Sequence, residues 1–144
     1  MTYETGTITG KLFEDKTCSF PIRVYYEDTD AGGIVYYANY LKFAERARTE
    51  YLRHIGFSQD ELLKNQGVGF VVRECHVRYK TPAKLDDALN ITCKVTEMKG
   101  ASLKMEQKLY RGETILAEVE VSLVFLSIQT MRPTKIPQEI TSIF

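Results

Sequence analysis

The sequence predicts one α+β domain in which a long antiparallel sheet curls around a single central helix. Three observations predict it. Residues 71–79, 89–95, 103–109 and 115–125 alternate apolar and polar side chains at the period of a strand. The last three of these runs are joined by short turns at Lys99-Gly100 and Arg111-Gly112, so their neighbours run antiparallel. Only one long stretch, 40–55, repeats apolar residues at three- and four-residue spacing, so one helix must cover the apolar side of the sheet.

Taken in order, residues 1–19 show no sustained periodicity and form an N-terminal extension that could add a strand. The domain is assigned to 20–135. Ile22, Val24 and Tyr26 alternate with Arg23 and Tyr25 and begin the first strand, which ends in the turn Glu27-Asp28-Thr29-Asp30-Ala31-Gly32-Gly33. The helix follows, with Tyr40, Ala44, Ala47, Tyr51 and Ile55 on one face, Asn39 as N-cap and Gly56 as stop. Ser58-Gln59-Asp60-Glu61 announces a second, short helix that closes at Gly67. In the next strand Val71, Arg73, Cys75, Val77 and Tyr79 share one face, and Thr81-Pro82-Ala83 breaks it. Residues 131–144 contain Pro133 and Pro137 and read as irregular, with 136–144 a C-terminal tail.

Composition narrows the function. With 19 Lys plus Arg against 19 Asp plus Glu, the chain lacks the basic excess of a nucleic-acid binder. Its three cysteines, Cys18, Cys75 and Cys93, are far apart, show no zinc spacing and suit a reducing compartment. No apolar run approaches the roughly 20 residues of a membrane span, and a cytoplasmic location is expected.

The turn 27–33 is where chemistry concentrates. It places three carboxylates and two adjacent glycines between a strand and the helix, and 34–38 then lead into the helix N-terminus. There, unpaired N–H groups and the helix dipole favour negative charge. A carboxylate facing such a terminus makes an acyl-transfer site, the N–H groups polarising a carbonyl while the carboxylate attacks it or activates water. A polar turn with capping carboxylates is the plain alternative. A calcium loop fails because Gly32 and Asn39 stand where an EF-hand needs ligands. An Asp-x-Asp phosphotransferase would need a parallel βαβ sheet.

The run 23–50, RVYYEDTDAGGIVYYANYLKFAERARTE, resembles the signature of the 4-hydroxybenzoyl-CoA thioesterase family, and within it the bacterial Tol-Pal-associated acyl-CoA thioesterase branch. Residues 79–86 resemble that family's second motif, and 99–102 its hairpin; the likeness covers 22–135. It implies a hotdog fold, acyl-CoA thioester hydrolysis, Asp30 as catalytic carboxylate, the Tyr37 backbone N–H as carbonyl polariser and Tyr26 near the site. Gly33, Val35, Tyr36, Asn39 and Lys99 are the expected substrate contacts. No metal and no cofactor are implied, since coenzyme A belongs to the substrate. A homodimer is expected at least, with a homotetramer the commoner state. Two departures stand out: Tyr37 replaces a histidine frequent in close relatives, and Asp86-Asp87 replaces Gly-Asp. Glu45, a helical carboxylate among arginines, ranks far behind Asp30. A dehydratase would need a histidine in 27–40, which holds none. A non-catalytic binder of acyl-CoA or acyl carrier protein is the competing function.

Overall fold

A computed structural model describes residues 10–144. The chain forms β1 (Lys11–Leu12), β2 (Cys18–Arg23), a 3-10 turn (Tyr26–Asp28), α1 (Asn39–His54), α2 (Gln59–Gln66), β3 (Val68–Tyr79), β4 (Ala88–Lys99), β5 (Ser102–Arg111), β6 (Thr114–Ser127), β7 (Arg132–Pro133) and α3 (Gln138–Thr141). The strands make one antiparallel sheet in the order β1-β2-β4-β5-β6-β3, with β7 paired to the end of β6. This is the hotdog arrangement, a curled sheet wrapped on one long helix.

The concave face buries Leu89, Ile91 and Cys93 of β4, Leu103, Met105 and Leu109 of β5, and Val119, Val121 and Phe125 of β6. Against them α1 packs Phe43, Ala44, Ala47 and Tyr51, its apolar stripe. The alanines let helix and sheet approach closely. Register shifts at Val72/Glu74, Val95/Glu97 and Leu109/Tyr110 mark bulges, which bend a sheet and let this one curl.

The bulge in β3 overturns the expected face. It inserts Arg73 between Val72, opposite Leu123, and Glu74, opposite Ser122. Beyond it the side chains change sides, so Phe70, Val72, Cys75, Val77 and Tyr79 face inward while Val71 does not. Three other expectations need correction. Asn39 is the first helical residue rather than the N-cap; Ala38 holds that place without a side-chain bond. Tyr26 belongs to the 3-10 turn and is 84% exposed, not part of an apolar strand face. The segment after 135 is no loose tail, because Ile136 and Ile140 are each 1% exposed within the core.

At the N-terminal end, β1 and the start of β2 lie inside the stretch read as an extension. Its residues 1–9 fall outside the described part of the chain. Ser58 caps α2 by accepting from the Glu61 N–H, and Gly67 ends it in the left-handed conformation.

Candidate active site

The site hairpin is built on a shelf made by 81–87. Val35 donates its N–H to the Ala83 carbonyl (2.9 Å), Val24 donates to Asp87 (2.9 Å), and Asp86 returns a bond to Val24 (3.0 Å). Buried Tyr40 ties the shelf to α1, its hydroxyl accepting from the Ala83 N–H at 2.9 Å. Asp87 locks the shelf by accepting from the Lys84 N–H (2.8 Å) and from Arg111 Nη1 (2.7 Å). Burial alone would raise its carboxyl, but those donors outweigh it and hold Asp87 below the ordinary value of 3.8. Asp86 adopts φ 70°, in the left-handed region that suits glycine and that aspartate is among the few other residues to tolerate. The second motif is therefore a support, with no reacting group of its own.

On this shelf the two motif aspartates part company. Asp28 is 8% exposed; its Oδ2 accepts from the Tyr25 N–H (2.8 Å), and its carbonyl accepts from the Tyr36 N–H (3.0 Å) and Asn39 Nδ2 (2.9 Å). Asp28 and Asn39 thus fasten the turn to the first turn of α1. Asp30 sits at the hairpin tip and is exposed. Its N–H donates to Ile34 O (2.9 Å), its carbonyl accepts from Gly33 N–H (3.0 Å), and Oδ1 accepts from Gly32 N–H (2.8 Å). Oδ2 of Asp30 meets no donor among the described residues. The glycines suit this tip: Gly33 has φ 80°, where other side chains are strained, and a Cβ on Gly32 would stand 3.2 Å from that Oδ1 and press on it.

The start of α1 supplies the electrophilic side. The Tyr37 N–H finds no acceptor among the described residues, whereas Tyr36 and Asn39 spend theirs in the turn. Tyr37's carbonyl accepts from the Tyr79 hydroxyl at 2.9 Å, and the Tyr36, Tyr37, Tyr79 and Tyr40 rings form a chain of tilted and edge contacts. Tyr79 was not expected at the site; its inward position at the end of an apolar series was the available signal.

Several expected substrate contacts take other roles. Val35 is 3% exposed and anchors the hairpin in the core, and the Asn39 Nδ2 donates to the Asp28 carbonyl. Gly33 and Tyr36 lie on the exposed hairpin beside Asp30. Lys99 stands at the far end of β4 from Ala88, which neighbours the shelf, roughly 35 Å along the strand. Tyr26 is on the surface beside the 3-10 turn.

A trough leads away from this end of the helix. The inward residues of β3 run from Tyr79, beside the helix start, through Cys75 and Val72 to Phe70. Cys75, Val72 and Tyr79 are exposed along it, and β3 is the sheet's outer strand. The trough opens into a cavity of about 160 Å³ between the C-terminal half of α1 and the sheet. Arg48 stands on its wall, donating from Nη1 to Gln107 Oε1 (2.9 Å). Gln107, fully buried, donates from Nε2 to the Ala44 carbonyl (2.9 Å) and to Cys93 Sγ (3.2 Å). A glutamine within the apolar series Leu103, Met105, Leu109 was the sequence's signal of this network.

The cysteines do not offer a nucleophile. Burial pushes the Cys18 and Cys93 thiols up to about 11 and about 12, and raises Cys75 as well. No cluster of metal-ligating side chains occurs among the described residues, nor any helix long and apolar enough to cross a membrane.

Comparison with known proteins identifies the family. The chain is 47% identical over 130 residues to the acyl-CoA thioesterase YbgC of Haemophilus influenzae, covering 90% of this chain and 96% of that one. It is 49% identical over 126 residues to the acyl-CoA thioester hydrolase YbgC of Escherichia coli, covering 87% and 93%. The crystal structure of a probable thioesterase from Bartonella henselae superposes with a TM-score of 0.78 at 35% identity, covering 83% and 98%. A family model for the thioesterase-like superfamily matches residues 24–144, a span that takes in the Asp30 hairpin, the shelf and the helix, and the chain belongs to that superfamily.

Proposed function

We propose that this protein hydrolyses acyl-coenzyme A thioesters to the free acid and coenzyme A, with Asp30 as nucleophile or general base. One observation carries the assignment. Of the two motif aspartates, Asp28 is used up by the turn, while Asp30 keeps an oxygen free at the tip, close in sequence to an unspent N–H at the helix start. The identity to two YbgC proteins, 47% and 49%, supports the acyl-CoA substrate and the Tol-Pal-associated branch.

In this reading the thioester carbonyl lies against the Tyr37 N–H and the positive end of α1, which stabilise the oxyanion as it forms. If Asp30 acts as base, water gives its proton to the carboxylate and attacks the carbonyl carbon. The C–S bond then breaks, and the thiolate leaves and takes up a proton. If Asp30 attacks directly, the C–S bond breaks as the thiolate leaves and takes up a proton, and water then hydrolyses the resulting mixed anhydride to the acid and the free Asp30 carboxylate. The acyl group lies along the trough between α1 and β3. The unpaired outer edge of the twelve-residue β3 suits pairing with a second copy, which would cover Val72, Cys75 and Tyr79 and close the trough between protomers. A homodimer built this way is part of the proposal, and a homotetramer its expected extension.

Replacing Asp30 by Asn keeps the shape and removes the base or nucleophile. Thiol release from an acyl-CoA panel should fall by at least about a hundredfold. Near-normal turnover in a folded Asn variant would remove Asp30 from the mechanism. A single turnover in ¹⁸O-water tests the direct route: label in the Asp30 carboxylate marks the anhydride, whereas label in the acid alone fits the base or an anhydride opened at its acyl carbon.

A further inference from the structure

Resting on the thioesterase reading, we propose that the C-terminal segment, through Ile140 and Phe144, is the end wall of the acyl site and sets the length of aliphatic chain accepted. The cavity at the end of the trough is bounded by Tyr51 and Leu52 of α1, by Phe70 and Val72 of β3, and at its end by Ile140 and Phe144. Asp30 and Tyr37 belong to the opposite end of α1, a sixteen-residue helix about 24 Å long. An acyl group with its carbonyl at Tyr37 therefore points its methyl end towards this cavity. Apart from Glu45, Arg48 and Gln59, the side chains lining the cavity are apolar or aromatic, which suits an aliphatic chain.

The wall has a fixed part and an adjustable part. Thr134 donates to the Phe125 carbonyl (2.9 Å) and Ile136 to the Gly100 carbonyl (3.0 Å), which pin the segment to β6 and to the β4–β5 turn. Ile140 is 1% exposed and cannot change size without disturbing the core. Phe144 is 41% exposed and touches Tyr51 edge-on, with ring centroids 6.0 Å apart. Its ring closes the cavity but carries little of the fold, so its size can alter the available length without unfolding the protein.

The test measures kcat/KM for butanoyl- through hexadecanoyl-CoA in the unaltered protein, in Phe144→Ala and in Phe144→Trp. Removing the ring should raise the ratio for long over medium chains by at least about fivefold, the worth of one or two buried methylenes. Enlarging it should move the preference the other way. The same proteins are titrated with non-hydrolysable alkyl-thioether analogues of the series, so that the wall is read from affinity as well as from turnover. If affinities shift with ring size while no ester is hydrolysed, the end wall stands and the thioesterase reading falls. If hydrolysis is robust but neither variant changes the length profile, the end wall is overturned and the enzyme assignment remains. Unchanged affinities without hydrolysis overturn both.

Discussion

The base and the tip of the Asp30 hairpin come from the same short stretch of chain yet are built on opposite plans. At the base, Asp28, Val35, Asn39, Tyr40 and Ala83 spend their polar groups on one another or disappear into the core. At the tip, Asp30 keeps an unbonded oxygen, Tyr37 keeps an N–H, and the surrounding tyrosines stay at the surface. The difference teaches that the motif divides labour within three residues. One aspartate holds the geometry while the other remains free to react, and satisfied groups supply rigidity because leaving them unpaired would be costly.

That contrast can be broken by substitution. The largest effect expected is on activity at the tip: Asp30→Asn should lose at least about a hundredfold in turnover while its Tm stays within experimental error of wild type. Asp28→Ala should do the reverse first, lowering stability by about 1 kcal/mol in urea titration because it removes the part-buried hydrogen bond to the Tyr25 N–H, with activity falling as a consequence. If Asp28→Ala proved stable and merely slow, the division of labour would be wrong.

The shelf gives a pH-dependent version of the same comparison. Because the folded-state value of Asp87 is depressed, its contribution is present above the unfolded value of 3.8 and is lost as pH falls through the folded value. Asp87→Asn should therefore cost about 1–2 kcal/mol at neutral pH, and the gap from wild type should shrink below pH 3.8, as followed by thermal melts. The smallest effect belongs to Asp86→Gly, which relieves a left-handed residue but loosens the unfolded chain. It should change stability by no more than about 1 kcal/mol. A large loss there would mean that the Asp86 side chain, and not only its backbone, supports the shelf.

How much of this was legible beforehand follows from the range over which each feature is encoded. Helix α1 and strands β4, β5 and β6 were readable because each carries its own periodicity. The Asp30 turn was readable because carboxylates and glycines are dense there. The bulge at Arg73 was not, since an inserted residue preserves local alternation and shows only against the partner strand. The C-terminal segment was misread as a tail because prolines suggested irregularity, although Ile136 and Ile140, four apart, were a signal of burial. The burial of Val35 and the Asn39–Asp28 bond were not legible, because nearness to a motif says nothing about where a side chain points.

By itself the sequence determined one helix, a sheet of long antiparallel strands and an acidic, glycine-rich bend between the first strand and the helix, because these depend on residue type and spacing over a few positions. Only the tertiary structure decided which aspartate stays free, which face β3 turns inward and that Ile136 and Ile140 join the core. Those depend on hydrogen-bond partners and packing surfaces supplied by residues distant in the chain, and no local pattern records them.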